Sequence, residues 1–338
     1  MYLFIRLLGN SVTRAGIKSV GCYLPEVVYS NSELIERFNL DVDEAWVESR
    51  TGIKSRHWMR DDETTSDMAV AAANAILSDA GVEPAQLDRI ILATISGDYP
   101  SPATAAVVAK KLRTRCPAYD ISAACSGFLY GLEIAAGAIA IGEKNVLVLA
   151  ADARSRFIDK NNRRGTALFS DGAAGALLQP VEEGGLIGLH LGTDGQREGL
   201  GAWVPAGGAL RPTSIETISG GEHYLHVEPL KDIFSMFVGY IEEAVDQALR
   251  KAGLQLDDID LFIPHQGNGH LVDNTADALG FPREKTINKV DVHGNTAGAS
   301  IPIALAEAKA SGRIKPGDNV LMAAVGAGNT FGAAVHRF

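Results

Sequence analysis

The chain has 338 residues, 46% of them hydrophobic and 21% charged, with 31 Lys and Arg against 41 Asp and Glu for a net charge of -10. This composition excludes a disordered chain, and the length predicts two domains or one large duplicated fold. The acidic balance argues against a nucleic-acid partner, because phosphate backbones demand a basic surface.

Residues 1–8 (MYLFIRLL) are apolar but interrupted by Arg6, too short to span a bilayer, and followed by no small-residue cleavage site. Cys22, Cys116 and Cys125 are odd in number and lack C-x-x-C spacing, which disfavours a disulfide framework and a zinc site alike. The expectation is a soluble cytoplasmic protein in reducing surroundings, with no metal, no resident cofactor and no membrane association.

Further along, an Ala-rich helical stretch leads into an apolar run at 89–95. A small-residue turn, a helical pattern at 128–141 and a second apolar run at 146–150 follow. The same order then returns. AGVEPAQLDRIIL at 80–92 recurs as AGLQLDDIDLFIP at 252–264, an offset of 172. Asn145-Val-Leu-Val-Leu-Ala-Ala recurs as Asn319-Val-Leu-Met-Ala-Ala, an offset of 174. Two matches in the same order predict a duplication. Strands alternating with helices predict mixed or parallel sheets covered by helices, hence a layered α/β sandwich. The turn Glu182-Glu183-Gly184-Gly185 marks the seam, dividing the chain into halves 1–185 and 186–338.

Cys125 stands in a turn of small residues, after Ala123 and Ala124 and before Ser126-Gly127. A buried structural cysteine is the ordinary reading of such a residue; the small neighbours favour one open to an acyl group. At a helix N-terminus the macrodipole is expected to lower the thiol pKa from about 8.5 to about 7.5, raising the thiolate fraction roughly eightfold at neutral pH. With Gly142 and Gly312 taken as equivalents at an offset of 170, Asn295 becomes the counterpart of Cys125. His265 follows the predicted strand at 261–264, at the carboxyl end where α/β folds place their sites. Cysteine, histidine and asparagine fit thioester chemistry, with one covalent nucleophile and two neutral donors for an enolate oxygen, each worth about 3 kcal/mol. Arg154, Arg156, Lys160, Arg163 and Arg164 put five cations in eleven residues, a patch suited to a nucleotide phosphate or else a solvated loop.

Asp120-Ile-Ser-Ala-Ala-Cys125-Ser-Gly-Phe, Pro264-His265-Gln-Gly-Asn268 and His293-Gly-Asn295-Thr-Ala-Gly-Ala-Ser resemble beta-ketoacyl-acyl-carrier-protein synthase III, of the thiolase-like condensing enzymes. The resemblance runs from about Gly16 to Phe338 and implies a five-layer αβαβα homodimer. Cys125 would take an acyl group from an acyl-CoA primer. His265 and Asn295 would promote decarboxylation of a malonyl thioester, on CoA or a carrier protein, and stabilise the enolate. Trp46 and Arg50 look like the family's coenzyme A adenine clamp, with Arg164 and Asn268 as further coenzyme contacts. The backbone N–H groups of Cys125 and Ala327 look like its oxyanion hole.

Three departures carry expectations of their own. Val325-Gly326-Ala327-Gly328 replaces a run of three glycines, restricting φ at the oxyanion turn. His270, Asp273, Asp277, Ala278 and Ser235 stand where the family generally carries basic residues that dock an acidic carrier protein. This predicts an extender on CoA, or a carrier docking elsewhere, for example at Lys110, Lys111, Arg113 and Arg115. Ser101 replaces a bulky aromatic that lines the partner subunit's acyl pocket, which predicts a longer or functionalised primer. Against decarboxylative condensation stand two alternatives: an acyltransferase passing the Cys125 acyl group to an amine or hydroxyl, and a non-catalytic partner subunit.

Overall fold

The apolar runs of the two halves form central strands, buried along nearly their whole length as strands covered on both faces must be. A computed structural model describes residues 13–228 and 233–338; the apolar segment 1–8 lies outside the described residues. The first half contains β1 (Arg14–Tyr23), β2 (Val27–Ser30), α1 (Asn31–Phe38), α2 (Glu44–Thr51), β3 (Ser55–Trp58), α3 (Thr65–Ala80) and β4 (Arg89–Ala93). It continues with α4 (Thr104–Leu112), β5 (Ala118–Ile121), α5 (Gly127–Ala140), β6 (Val146–Ala153), α6 (Arg163–Leu168) and β7 (Asp171–Val181). The second half opens with β8 (Gly185–Thr193), β9 (Ala202–Trp203), α7 (Ile215–Ser219), β10 (His226–Val227), α8 (Ile233–Ala252) and β11 (Leu261–Pro264). It ends with α9 (Gly269–Leu279), α10 (Val290–His293), α11 (Ser300–Ala310), β12 (Asn319–Gly326) and β13 (Thr330–Arg337).

One sheet has the order β1-β7-β6-β4-β5, in which β6, β4 and β5 are parallel. The other repeats the pattern as β8-β13-β12-β11, with β11 and β12 parallel and β13 antiparallel to both neighbours. The counterpart of β5 shrinks there to a single parallel bridge between Phe262 and Thr286. Between the sheets lie α5 and α11, whose Phe128, Leu132, Ile301 and Leu305 share one core with Val148 and Met322. On the outer face of the first sheet, Met68 and Ile76 of α3 and Val108 of α4 pack on Leu92 and Leu149. Ile241 and Val245 of α8 cover Leu321 and Val335 of the second. Helix, sheet, helix, sheet, helix: the five layers are those of the thiolase-like αβαβα sandwich.

The duplication holds in three dimensions, but one equivalence shifts. Each central helix is preceded by an alanine with positive φ, Ala124 at 46° and Ala297 at 50°, in matching 3-10 turns. These elbows lie 173 residues apart, so Cys125 corresponds to Gly298 and Asn295 to Ser122. The offset of 170 between Gly142 and Gly312 arises because α11 has 11 residues and α5 has 14, nearly one turn more. Gly298 is glycine because the elbows touch: a Cβ there would meet the Ala124 carbonyl oxygen at 3.2 Å and Asp152 Oδ2 at 3.3 Å.

Candidate active site

Parallel strands end on one edge of a sheet, and the turns beyond β4, β5 and β6 carry Ile95, Cys125 and Arg154. The turns beyond β11 and β12 bring His265 and Ala327 from the other half. Both edges open on one cavity of about 570 Å³, whose walls include Cys125, His265, Asn268, Asn295 and Ala327.

Cys125 is half-buried, and its free thiol faces this cavity. The expected low thiol pKa is not found. Loss of solvation pushes the Cys125 thiol up to about 12, and the buried carboxylate of Asp152 adds to the rise. Arg154 and the residue's own backbone N–H act in the opposite direction without prevailing. Because α5 begins only at Gly127, Cys125 precedes its first turn, whose N-cap Ser126 donates its hydroxyl to the Thr330 carbonyl at 3.0 Å. At neutral pH the Cys125 side chain is therefore expected to rest as a thiol. Alkylation of Cys125 by iodoacetamide, followed by peptide mapping, should accelerate about tenfold per pH unit from about pH 7 to about pH 10; a plateau near pH 8.5 would contradict this assignment.

His265 is buried, and burial pulls its imidazole down to about 4, so the ring is neutral at physiological pH. Its Nδ1 lies 2.7 Å from Ser300 Oγ, which also accepts the Gln266 N–H at 3.2 Å. Donation of the Ser300 hydroxyl proton to Nδ1 would place the imidazole proton on Nε2, toward the substrate. Asn295 is oriented in the same way: its Oδ1 accepts the Ala297 N–H at 2.9 Å, leaving the Nδ2 donors for the cavity. Two neutral donors with their acceptor ends tied back can stabilise an oxyanion without presenting a charge to it.

Among the described residues, neither the Cys125 N–H nor the Ala327 N–H has a carbonyl partner. Ala327 costs the turn nothing, since the left-handed positions fall on Gly328 (φ 76°) and Asn329 (φ 55°). Gly326 is the sensitive position: a Cβ there would lie 2.9 Å from both the Cys125 nitrogen and the Ala123 carbonyl oxygen. Gly326→Ala is accordingly expected to slow acylation of Cys125 about 100-fold, the cost of one misplaced oxyanion donor. Single-turnover acylation, with circular dichroism as the folding control, checks this; an unchanged rate in a folded variant would contradict it.

The expected coenzyme contacts are dispersed differently. Asn268 lines the cavity, but as the N-cap of α9: its Oδ1 accepts from His270 and Leu271, and its Nδ2 donates to the Arg50 carbonyl at 2.9 Å. Trp46, Arg50 and Arg164 lie outside the cavity wall, and the cation over the Trp46 ring is Arg163, 5.2 Å from its centroid. Nor do the five cations form one patch. Arg156 bonds the Arg60 and Asp61 carbonyls, Lys160 sits over the Phe38 and Trp58 rings, and Arg154 is buried. Residue spacing alone did not point to Ser300 or Asp152, because their partners lie 35 and 146 residues away.

The chain is 40% identical over 326 residues to a beta-ketoacyl-[acyl-carrier-protein] synthase III of Symbiobacterium thermophilum, covering 96% of this chain and 98% of that protein. It belongs to the beta-ketoacyl-[acyl-carrier-protein] synthase III family. Models described as 3-oxoacyl-[acyl-carrier-protein (ACP)] synthase III and its C-terminal part match residues 119–195 and 249–338, and one for the thiolase N-terminal domain matches 47–151. Among solved structures, a 3-oxoacyl-[acyl-carrier-protein] synthase III of Aquifex aeolicus superposes with a TM-score of 0.86 at 36% identity, covering 96% of this chain and all of that one. The priming beta-ketosynthase of the R1128 polyketide pathway gives 0.87 at 32% identity, covering 97% and 98%. This chain is thus an acyltransferase-class condensing enzyme of the synthase III type.

Several departures from the family pattern look different in place. Asp273 and Asp277 face Arg283, which bonds Asp277 through two nitrogens and lies 3.7 Å from Asp273, so the acidic stretch is partly neutralised locally. Of the basic residues at the end of α4, Lys111 is tied to Asp67 and Ser66, while Lys110, Arg113 and Arg115 are exposed. The side chain of Ser235 lies outside the described residues. Ser101 is exposed in the loop between β4 and α4 and does not line this chain's cavity.

Proposed function

We propose that Cys125 carries the acyl group and that His265 and Asn295 drive the condensation. The observation that supports this reading most is the shared cavity, in which one thiol faces two neutral donors whose other ends are held by Ser300 and Ala297. Sγ attacks the thioester carbonyl of an acyl-CoA, the C–S bond to the coenzyme breaks, and the thiol proton passes to the coenzyme sulfur. The Cys125 and Ala327 N–H groups receive the oxyanion. A malonyl thioester then enters with its carbonyl oxygen between His265 Nε2–H and Asn295 Nδ2–H. Loss of carbon dioxide leaves an enolate, which those donors stabilise. Its carbon attacks the acyl-enzyme, the Cys125 thiolate departs and is reprotonated, and a 3-oxoacyl thioester is released. A neutral imidazole suits this role, since an imidazolium beside the malonyl carboxylate would hold the charge that must leave.

The coenzyme's adenine would displace Arg163 from Trp46 and stack there, with Arg163 and Arg164 supplying cations for its phosphates. An acidic carrier would find Lys110, Arg113 and Arg115 as its cationic docking surface. The homodimer, with Ser101 turned to the partner's acyl pocket, and action in a reducing cytoplasm belong to the same reading. Three free thiols agree with that compartment, and no described helix is long and apolar enough to cross a membrane. The test supplies acyl-CoA together with malonyl-CoA or malonyl-carrier protein and measures carbon dioxide and 3-oxoacyl product. Equal yields of both support the proposal. Acyl transfer to an added amine or hydroxyl without carbon dioxide would favour the acyltransferase alternative.

A further inference from the structure

Two fully buried arginines sit in this half of the molecule, and they differ in one respect. Arg56 spends its guanidinium on the Asn31 side chain and on the Tyr29 and Ala167 carbonyls. Arg154 is 2% exposed, and among the described residues no carboxylate or carbonyl accepts a hydrogen bond from it. Its Nε is buried without a partner, as is that of Arg56, but only the Arg154 side chain forms part of the cavity wall beside Cys125. The face of the Phe169 ring, 5.2 Å away, holds the guanidinium in place. Two buried carboxylates feel its charge, Asp152 and Asp171, but their oxygens are taken up elsewhere. Asp152 accepts from Ile95, Ser96 and Gly298, and Asp171 from Ser155 and Met59. These carboxylates offset the cost of burying a cation and leave its hydrogen-bonding fork unspent.

An unspent guanidinium in a largely apolar pocket is a receptor for a planar anion. Three anions reach a condensing site of this kind. Coenzyme phosphates, in the function proposed above, would pair with Arg163 and Arg164, which are exposed. The malonyl carboxylate must leave as carbon dioxide, and a guanidinium paired with it would stabilise the state that has to be destroyed. What remains is a charge that persists through both steps, on the acyl chain itself. Resting on the function proposed above, we propose that Arg154 selects an acyl-CoA primer bearing a free carboxylate at the far end of its chain. The carboxylate is a spectator: Sγ bonds the thioester carbon, the coenzyme leaves as its thiol, and the distal charge remains paired with Arg154.

The test measures kcat/KM for acylation of Cys125 by succinyl-, glutaryl- and adipyl-CoA against butyryl-, pentanoyl- and hexanoyl-CoA, read by intact mass. The enzyme is expected to favour the carboxylated member of the best pair by roughly 10- to 100-fold, the size of a charge-assisted hydrogen-bond pair. Arg154→Met should invert that preference, and Arg154→Lys, which keeps the charge and loses the fork, should fall between. A wild-type preference for the neutral series, or the same ratio in folded Arg154→Met, overturns the proposal while leaving Cys125 as the acyl carrier. No acylation by either series overturns both.

Discussion

Replacing Cys125 with serine is expected to abolish the acyl-enzyme, a loss of at least about 1,000-fold in single-turnover acylation. The site does little to ionise its nucleophile: burial and Asp152 hold even the thiol near 12. His265, held near 4, is a weak base. A serine hydroxyl, less acidic and less nucleophilic than a thiol, would find nothing in the cavity to activate it. Intact mass after incubation with an acyl-CoA should show the adduct in wild type and none in Cys125→Ser. Equal acylation of the serine variant would remove Cys125 from its assigned role.

His265→Ala is expected to separate the two half-reactions. Acylation should persist, because the oxyanion donors proposed for that step are backbone N–H groups of Cys125 and Ala327, untouched by the change. Release of carbon dioxide from a malonyl thioester should fall by about 100- to 1,000-fold, the cost of one preorganised donor to a developing oxyanion. Because the imidazole is neutral down to about pH 4, this step in wild type should show no titration of His265 between about pH 5 and about pH 8. Radiolabelled carbon dioxide from the acylated enzyme measures it. Parallel losses in acylation and decarboxylation would mean that His265 serves the thiol instead.

Much of this was legible in the residues because the signals were local. The apolar runs predicted the central strands, since a strand buried on both faces must be apolar throughout. The small residues around Cys125 predicted an elbow with room beside the sulfur. What depended on distant partners could not be read. The sign of the Cys125 pKa shift turned first on burial of the thiol and then on Asp152, which reaches the site by way of β6. The equivalence of Cys125 with Asn295 failed because a shortened α11 displaced the glycine used to align the halves. Five cations in eleven residues looked like one surface, although the turn after β6 buries Arg154 and α6 lifts Arg163 onto Trp46. Charge patterning along a chain does not say which side of a turn faces water.

The most direct measurement of the central claim is peptide-level mass spectrometry after brief exposure of the enzyme to an acyl-CoA, followed by malonyl-CoA. The account predicts a single acyl thioester on the peptide carrying Cys125, discharged as a 3-oxoacyl product with one carbon dioxide when the malonyl thioester is added. An adduct on Cys22 or Cys116 with Cys125 unmodified, or a Cys125 adduct that malonyl-CoA leaves in place, would contradict it.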